Sequence, residues 1–202
     1  MANAKHSKSR PLSCEDLVKF EQLVAQIYEQ GKIKAPIHLA GINERQLIKV
    51  FKKYKKGDWI FSTWRSHYHW LLSGRDPNEL MQQILDGHSM HVFGKRFFTS
   101  AIVGGIAPIA LGVAWALKMK KSKSKVWAFI GDAAYECGLV KECIRYAEGH
   151  DLPIKFVVED NGLCVRAVTQ ESWGRKRRKN KVMKYKYKRR YPHAGTGQYV
   201  MF

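Results

Sequence analysis

Two polar clusters carry the clearest chemical signal in this chain. The apolar run 126–130, VWAFI, ends at Gly131-Asp132, and a second, IKFVV at 154–158, ends at Glu159-Asp160-Asn161. Asp132 and Asn161 are 29 positions apart. A carboxylate oxygen and an amide oxygen are hard donors, suited to Mg2+ or Ca2+ and not to a soft metal. Mg2+ takes one or two carboxylates from a protein and completes its octahedron with phosphate oxygens and water. Two such donors brought together therefore ask for a phosphorylated ligand. Ala133 and Ala134 follow Asp132, and small side chains there would let backbone N–H groups near a helix start approach phosphate. Singly, each motif reads first as structural, because Gly-Asp is a common turn and Asp-Asn makes good Asx turns. It is the pairing that favours a metal–phosphate site.

The pairing depends on the elements that position it. Residues 126–130 and 154–158 read as short strands, and about 138–148 as a helix between them. Strand, helix, strand makes a βαβ unit with parallel strands and a right-handed crossover. Both clusters then lie on one sheet edge, outside the carboxyl ends of the strands, where open α/β sheets bind ligands. Upstream, Ser13 caps a helix with Asp16 three residues on, and Leu17, Phe20, Val24, Ile27 and Tyr28 recur at helical spacing up to Gly31. A second helix is predicted over about 43–54, a strand over 59–63, and a helix from Pro77 to about Leu85. The stretch 101–117, AIVGGIAPIALGVAWAL, has no charge, but a membrane span usually needs ~20 apolar residues, so a buried core helix is expected there. The tail after Trp173 shows no clear periodicity.

Composition sets the outer limits. With 202 residues and 45% hydrophobic content the chain suits one domain with a sizeable core. The net charge of +19 favours an anionic partner. Residues 175–190, RKRRKNKVMKYKYKRR, hold eleven basic residues and no acid. The four cysteines form no CxxC pair and match no zinc spacing, which reads as reduced thiols in a cytoplasmic protein. The expected organisation is a disordered N-terminus over 1–12, a cofactor domain over 13–174 and a basic segment over 175–202.

Beyond these residues lies a family pattern. GDAA at 131–134, GLVKECIRYA at 138–147 and LPIKFVVEDN at 152–161 resemble the thiamine diphosphate motif of the alpha subunits of 2-oxo acid dehydrogenases and related transketolase-like enzymes. HLAGINE at 38–44, IFSTWRSHYHWLLSG at 60–74, GHSMHVF at 87–93 and SAIVGGIAPIALGVAWALK at 100–118 are similar to further segments of that family, in its order. The resemblance implies a parallel sheet with helices on both faces, the diphosphate-binding domain of a thiamine diphosphate fold. It implies that Asp132, Asn161 and the Leu163 carbonyl hold Mg2+. It also implies that Arg65, Gly131, Ala133 and Ala134 contact the diphosphate, and that Ile102, Val103 and Gly104 line the aminopyrimidine side. His67 and His91 would lie near cofactor or substrate, with a satisfied structural histidine as the competing reading.

The same resemblance implies a two-subunit enzyme that cleaves a 2-oxo acid or ketose and transfers the acyl-anion equivalent. The catalytic Glu would come from the pyrimidine-binding domain of a separate beta-type subunit, in an α2β2 assembly. Ala133 stands where the family usually has Gly. The family's longer members continue further past the Asn, through a loop with active-site histidines, so an acyloin-forming or ketol-transferring enzyme is an equal expectation. The basic run 175–190, interleaved with Tyr185 and Tyr187, supports two further readings. It reads first as a solvated or acidic-partner-facing segment, and second as a nucleic-acid-binding one. A non-catalytic subunit that keeps the fold is the remaining alternative, against which the intact Asp132 and Asn161 argue.

Overall fold

The apolar runs become strands because β-branched and aromatic residues fill both sides of a pleated ribbon. The computed structural model describes residues 10–174 and 182–201. In chain order the elements are α1 (Cys14–Glu29), α2 (Glu44–Phe51), β1 (Trp59–Ser62), α3 (His67–Leu72), α4 (Pro77–Leu85), β2 (Phe93–Gly94), β3 (Phe97–Thr99) and α5 (Ile106–Met119). They continue as β4 (Val126–Gly131), α6 (Asp132–Glu136), α7 (Gly138–Gly149), β5 (Ile154–Asp160), β6 (Leu163–Cys164), β7 (Ala167–Val168), α8 (Thr169–Trp173) and β8 (Met183–Lys186). Six strands form one sheet in the order β2-β3-β1-β4-β5-β8. All neighbours are parallel except β2, which pairs antiparallel with β3 at the edge. The fold is α/β, and β4 and β5 are direct parallel neighbours joined through α7, as the βαβ pattern predicts.

Alternation along the strands feeds two cores. Ile60, Phe97, Trp127, Phe129 and Val157 face α1 to α4, packing with Leu17, Val24, Leu47, Tyr68, Trp70 and Leu80. Phe61, Val126, Ala128, Ile130, Phe156 and Val158 face the other way, onto α5, α6 and α7. A parallel sheet covered on both faces reads as continuous apolar runs, which is why β4 and β5 show no polar alternation. Ser13 caps α1 through the capping box with Asp16 that the sequence predicts.

Three sequence expectations change. The uncharged stretch 101–117 yields a helix only from Ile106, and it is not a buried core helix. Ile106, Ala107, Ala110 and Ala114 are buried, while Ile109 is 46% exposed, Trp115 37% and Met119 72%. One face of α5 meets the sheet and the other is apolar and open. Among the described residues no helix is long and apolar enough to cross a membrane. The segment 60–74 contains α3 as well as β1, and α3 gives no amphipathic signal because His67, Tyr68, His69, Trp70 and Leu71 are all buried. The third change is β8, within the basic run. It extends the sheet beside β5, with Met183 and Tyr185 against the core and Lys184 and Lys186 outward. The rest of that run from 175 to 181, and residues 1–9 of the expected disordered N-terminus, lie outside the described residues.

Candidate functional site

The site forms where the strand order reverses. β3 lies on one side of β1 and β4 on the other, so the chain leaves the carboxyl ends of β1 and β4 in opposite directions and opens a crevice between them. Residues following β1, β4 and β5 meet there. The cleft, about 640 Å³ including its open mouth, is lined by Arg65 after β1, Val103 after β3, Gly131 to Ala134 at the end of β4, and Asn161 and Leu163 after β5. These residues are drawn from segments up to about a hundred positions apart, and the topology alone brings them together. A Cβ built on Gly131 would meet nothing within 4 Å, as expected of backbone facing an open space.

Asp132 is 1% exposed and sits at the floor. Thr169, at the start of α8, donates its hydroxyl to Asp132 Oδ2 at 2.6 Å. Burial, with the neighbouring Asp160 charge adding to it, pushes the Asp132 carboxyl above the usual carboxylate range. Burial would raise Asp160 as well, but the Lys184 ammonium at 2.8 Å outweighs it and holds Asp160 low. Asn161 is gripped at both ends of its amide. Its Oδ1 accepts the Leu163 N–H at 3.0 Å and its Nδ2 donates to the Tyr187 hydroxyl at 3.2 Å. Glu159, also on the lining, accepts from the Tyr185 hydroxyl and lies 3.3 Å from His69 Nε2.

Arg65 closes one wall. Its Nη2 donates to the His193 carbonyl at 2.8 Å, and its buried Nε has no hydrogen-bond partner among the described residues. Burial lowers the pKa of its guanidinium, which marks a cation held out of water. A buried guanidinium N–H without a partner, on a residue that lines the cleft, suits an anionic oxygen. The donor set as a whole offers hard oxygens on the floor and a guanidinium on the wall, a combination that fits a hard cation together with an anionic ligand.

Several residues singled out in the sequence lie elsewhere. Gly104 is buried with a φ of +74°, and Ile102 is 72% exposed; neither is on the lining, although Val103 between them is. His67 is 1% exposed, with its Nε2 3.0 Å from Ser89 Oγ and its Nδ1 3.8 Å from Glu21, inside the α1–α4 core. His91 is exposed, in the turn that its N–H closes onto the His88 carbonyl. Conversely, sequence reasoning misses Thr169, ranks His193 below His67 and His91, and treats Tyr187 and Arg189 only as part of a basic run. Tyr187, Arg189 and His193 line the cleft because β8 runs in register beside β5 and delivers the following residues to the same edge. The one available signal is the alternation of Lys with Met183, Tyr185 and Tyr187.

Comparison with known proteins adds the following. Residues 14–184 match the family described as dehydrogenase E1 component. The chain is 32% identical over 157 residues to the pyruvate dehydrogenase E1 component subunit alpha of Rickettsia prowazekii, covering 72% of this chain and 48% of that protein. It is 29% identical over 180 residues to the same subunit of Rickettsia typhi, covering 79% and 55%. It is also 32% identical over 168 residues to the chloroplastic subunit alpha-3 of Arabidopsis thaliana, covering 73% and 39%. The chain spans about half the length of the curated relatives it matches.

Proposed function

The chain belongs to the dehydrogenase E1 component family, and on that premise we propose that it is a thiamine diphosphate- and Mg2+-binding alpha-type subunit of a two-subunit enzyme acting on a 2-oxo acid. The observation that carries this reading is the cleft at the sheet's reversal point, lined by Asp132, Asn161 and Leu163 and by Arg65, whose Nε has no hydrogen-bond partner among the described residues. The Asp132 and Asn161 side-chain oxygens and the Leu163 carbonyl hold Mg2+. A divalent cation would offset the charge of the buried Asp132 beside Asp160, and Mg2+ leaves its remaining positions to phosphate oxygens and water. Gly131, Ala133, Ala134 and Arg65 hold the diphosphate, with Ile102, Val103 and Gly104 on the pyrimidine side. The bound cofactor supplies a nucleophilic carbon able to attack the 2-oxo carbonyl.

This chain's residues bind, orient and exclude water. Thr169 fixes the Asp132 carboxylate, and Tyr187 and the Leu163 N–H fix the Asn161 amide. Tyr187, Arg189 and His193 wall the mouth on the β8 side. His91, exposed at the surface, is kept as a substrate-side group, whereas His67 is assigned to packing within the α1–α4 core. A beta-type subunit, in an α2β2 assembly, would supply the Glu that sits beside the cofactor's pyrimidine. The open apolar face of α5, with Ile109, Trp115 and Met119, supports such a partner. The cofactor domain extends from about residue 13 through β8.

Native mass spectrometry of the protein isolated from its own cells tests the reading. A complex with a second polypeptide, carrying thiamine diphosphate and Mg2+, is the expected result. A bare chain that takes up neither on addition of both would overturn it.

A further inference from the structure

The edge of the sheet opposite the cofactor cleft carries a second concavity. It is built from the turn before β1, the turn after α3 and the two-residue loop between β2 and β3. Lys56, Arg75, Lys95 and Arg96 line it, beside Tyr54 and Asp58. It lies at the amino ends of β1 and β3, so the four residues of β1 separate it from the first cleft by about 13 Å. We propose that this cleft seats a small oligophosphate anion, two or more linked phosphates, at a site distinct from the cofactor cleft and independent of the reading given to it.

Four basic residues line one hollow, and among the described residues none of them forms an ion pair. The one acid on the lining is turned inward. Asp58 is 4% exposed and spends its carboxylate on three N–H donors: Lys125 at 2.8 Å, Trp127 Nε1 at 3.0 Å and Lys55 at 3.2 Å. Glu79 acts on Arg75 from α4 but is not on the lining. Like charges held together in a hollow raise the local potential and favour a multiply charged anion over a single carboxylate.

Both arginines are fixed in place. Arg75 lies over the Trp70 ring at 5.0 Å and the Phe97 ring at 5.2 Å, and its Nη2 donates to the Lys95 carbonyl at 2.6 Å. Its buried Nε has no hydrogen-bond partner among the described residues. Arg96 Nη1 donates to the Gly57 carbonyl at 2.6 Å, and a Cβ on Gly57 would come within 3.1 Å of that same nitrogen. Gly57 also needs its φ of +109°, so glycine serves both the turn and the close approach. Planar forks held this way match phosphate oxygens better than free lysines do.

Arg96 occupies a tight hairpin loop with a φ of +62°, a position that favours Gly or Asn. A non-glycine residue there strains the backbone, and such strain concentrates at functional positions. The gain is a guanidinium at the rim of the hollow. The cations surround a single hollow instead of running in a row, which favours a compact ion over a nucleic-acid strand.

The test is an NMR titration of the full chain with pyrophosphate at constant ionic strength, following backbone amides. Saturable shifts at Gly57, Gly74, Lys95 and Arg96 are expected, separate from any at Ala133 and Ala134, which report the cofactor cleft. Arg96→Gly relieves the turn, so it should keep or raise the melting temperature while weakening the response at Gly57 and Gly74 at least tenfold. Lys95→Glu should weaken it similarly, and Asp132→Ala should leave it unchanged. Equal shifts with sulfate would mean an adventitious ion only and would overturn the proposal. So would undiminished binding in Arg96→Gly, or displacement of pyrophosphate by an RNA oligonucleotide at lower concentration.

Discussion

Tyr187 bears on the proposed metal site without offering a ligand of its own. Its hydroxyl accepts from Asn161 Nδ2 while the Leu163 N–H donates to Oδ1, and together they fix which end of the amide carries the oxygen. Outer partners of this kind typically contribute 10- to 100-fold in metal affinity. Tyr187→Phe should therefore weaken Mg2+-dependent cofactor binding roughly tenfold while the melting temperature holds; calorimetric titration reads both affinity and stoichiometry. Asp132 and Asn161 are legible in the sequence because each ends an apolar run. Thr169 and Tyr187 are not, since their partners lie 37 and 26 positions away and meet them only through the fold.

Glu21 and His67 form a buried titratable pair. Glu21 is sealed in the α1–α4 core, where burial raises its carboxyl to about 7 although the Ala40 N–H donates to it. A carboxyl raised on folding contributes stability that is full below the unfolded value near 4.5 and is lost as pH rises through 7. His67, 3.8 Å away, is lowered to about 4 by burial, and its contribution runs the other way, lost as pH falls from 6.5 to 4. Glu21→Gln removes the first effect only. The variant should gain on the wild type by up to about 3 kcal/mol between pH 4.5 and 7, read from denaturant midpoints across that range. A constant difference at all pH values would contradict this reading of Glu21.

At the scale of elements, β4 is the spine of the sheet. Phe129 is 1% exposed, stacks on Phe51 at 5.5 Å and meets His69 at 4.2 Å. Phe129→Ala should cost about 3–5 kcal/mol, measured by chemical denaturation. β4, α7 and β5 are legible because a run apolar on both faces, a helical spacing and a second such run occur in order. β8 is obscured for a chemical reason. Its outward positions are Lys and its inward ones Met and Tyr, so the period of two is written in basic and aromatic residues, and composition draws attention to the charge. α5 fails in the opposite sense. Its sequence is apolar all round, and periodicity does not reveal which half of such a helix the sheet will cover.

For the molecule as a whole, the open face of α5 is the feature least compatible with a solitary chain. Ile109→Glu places a charge on that face at a position 46% exposed. The proposed second subunit should then no longer co-purify, while the isolated chain keeps its stability within about 0.5 kcal/mol, as surface substitutions usually do. Retention of the partner at wild-type stoichiometry would move the interface elsewhere. The cleft itself tests the account most directly. Isothermal titration of thiamine diphosphate into the protein, with any subunit that accompanies it, should show binding that requires Mg2+ and disappears in Asp132→Ala with the fold intact. Binding that is indifferent to Mg2+, or unchanged in Asp132→Ala, would contradict the account.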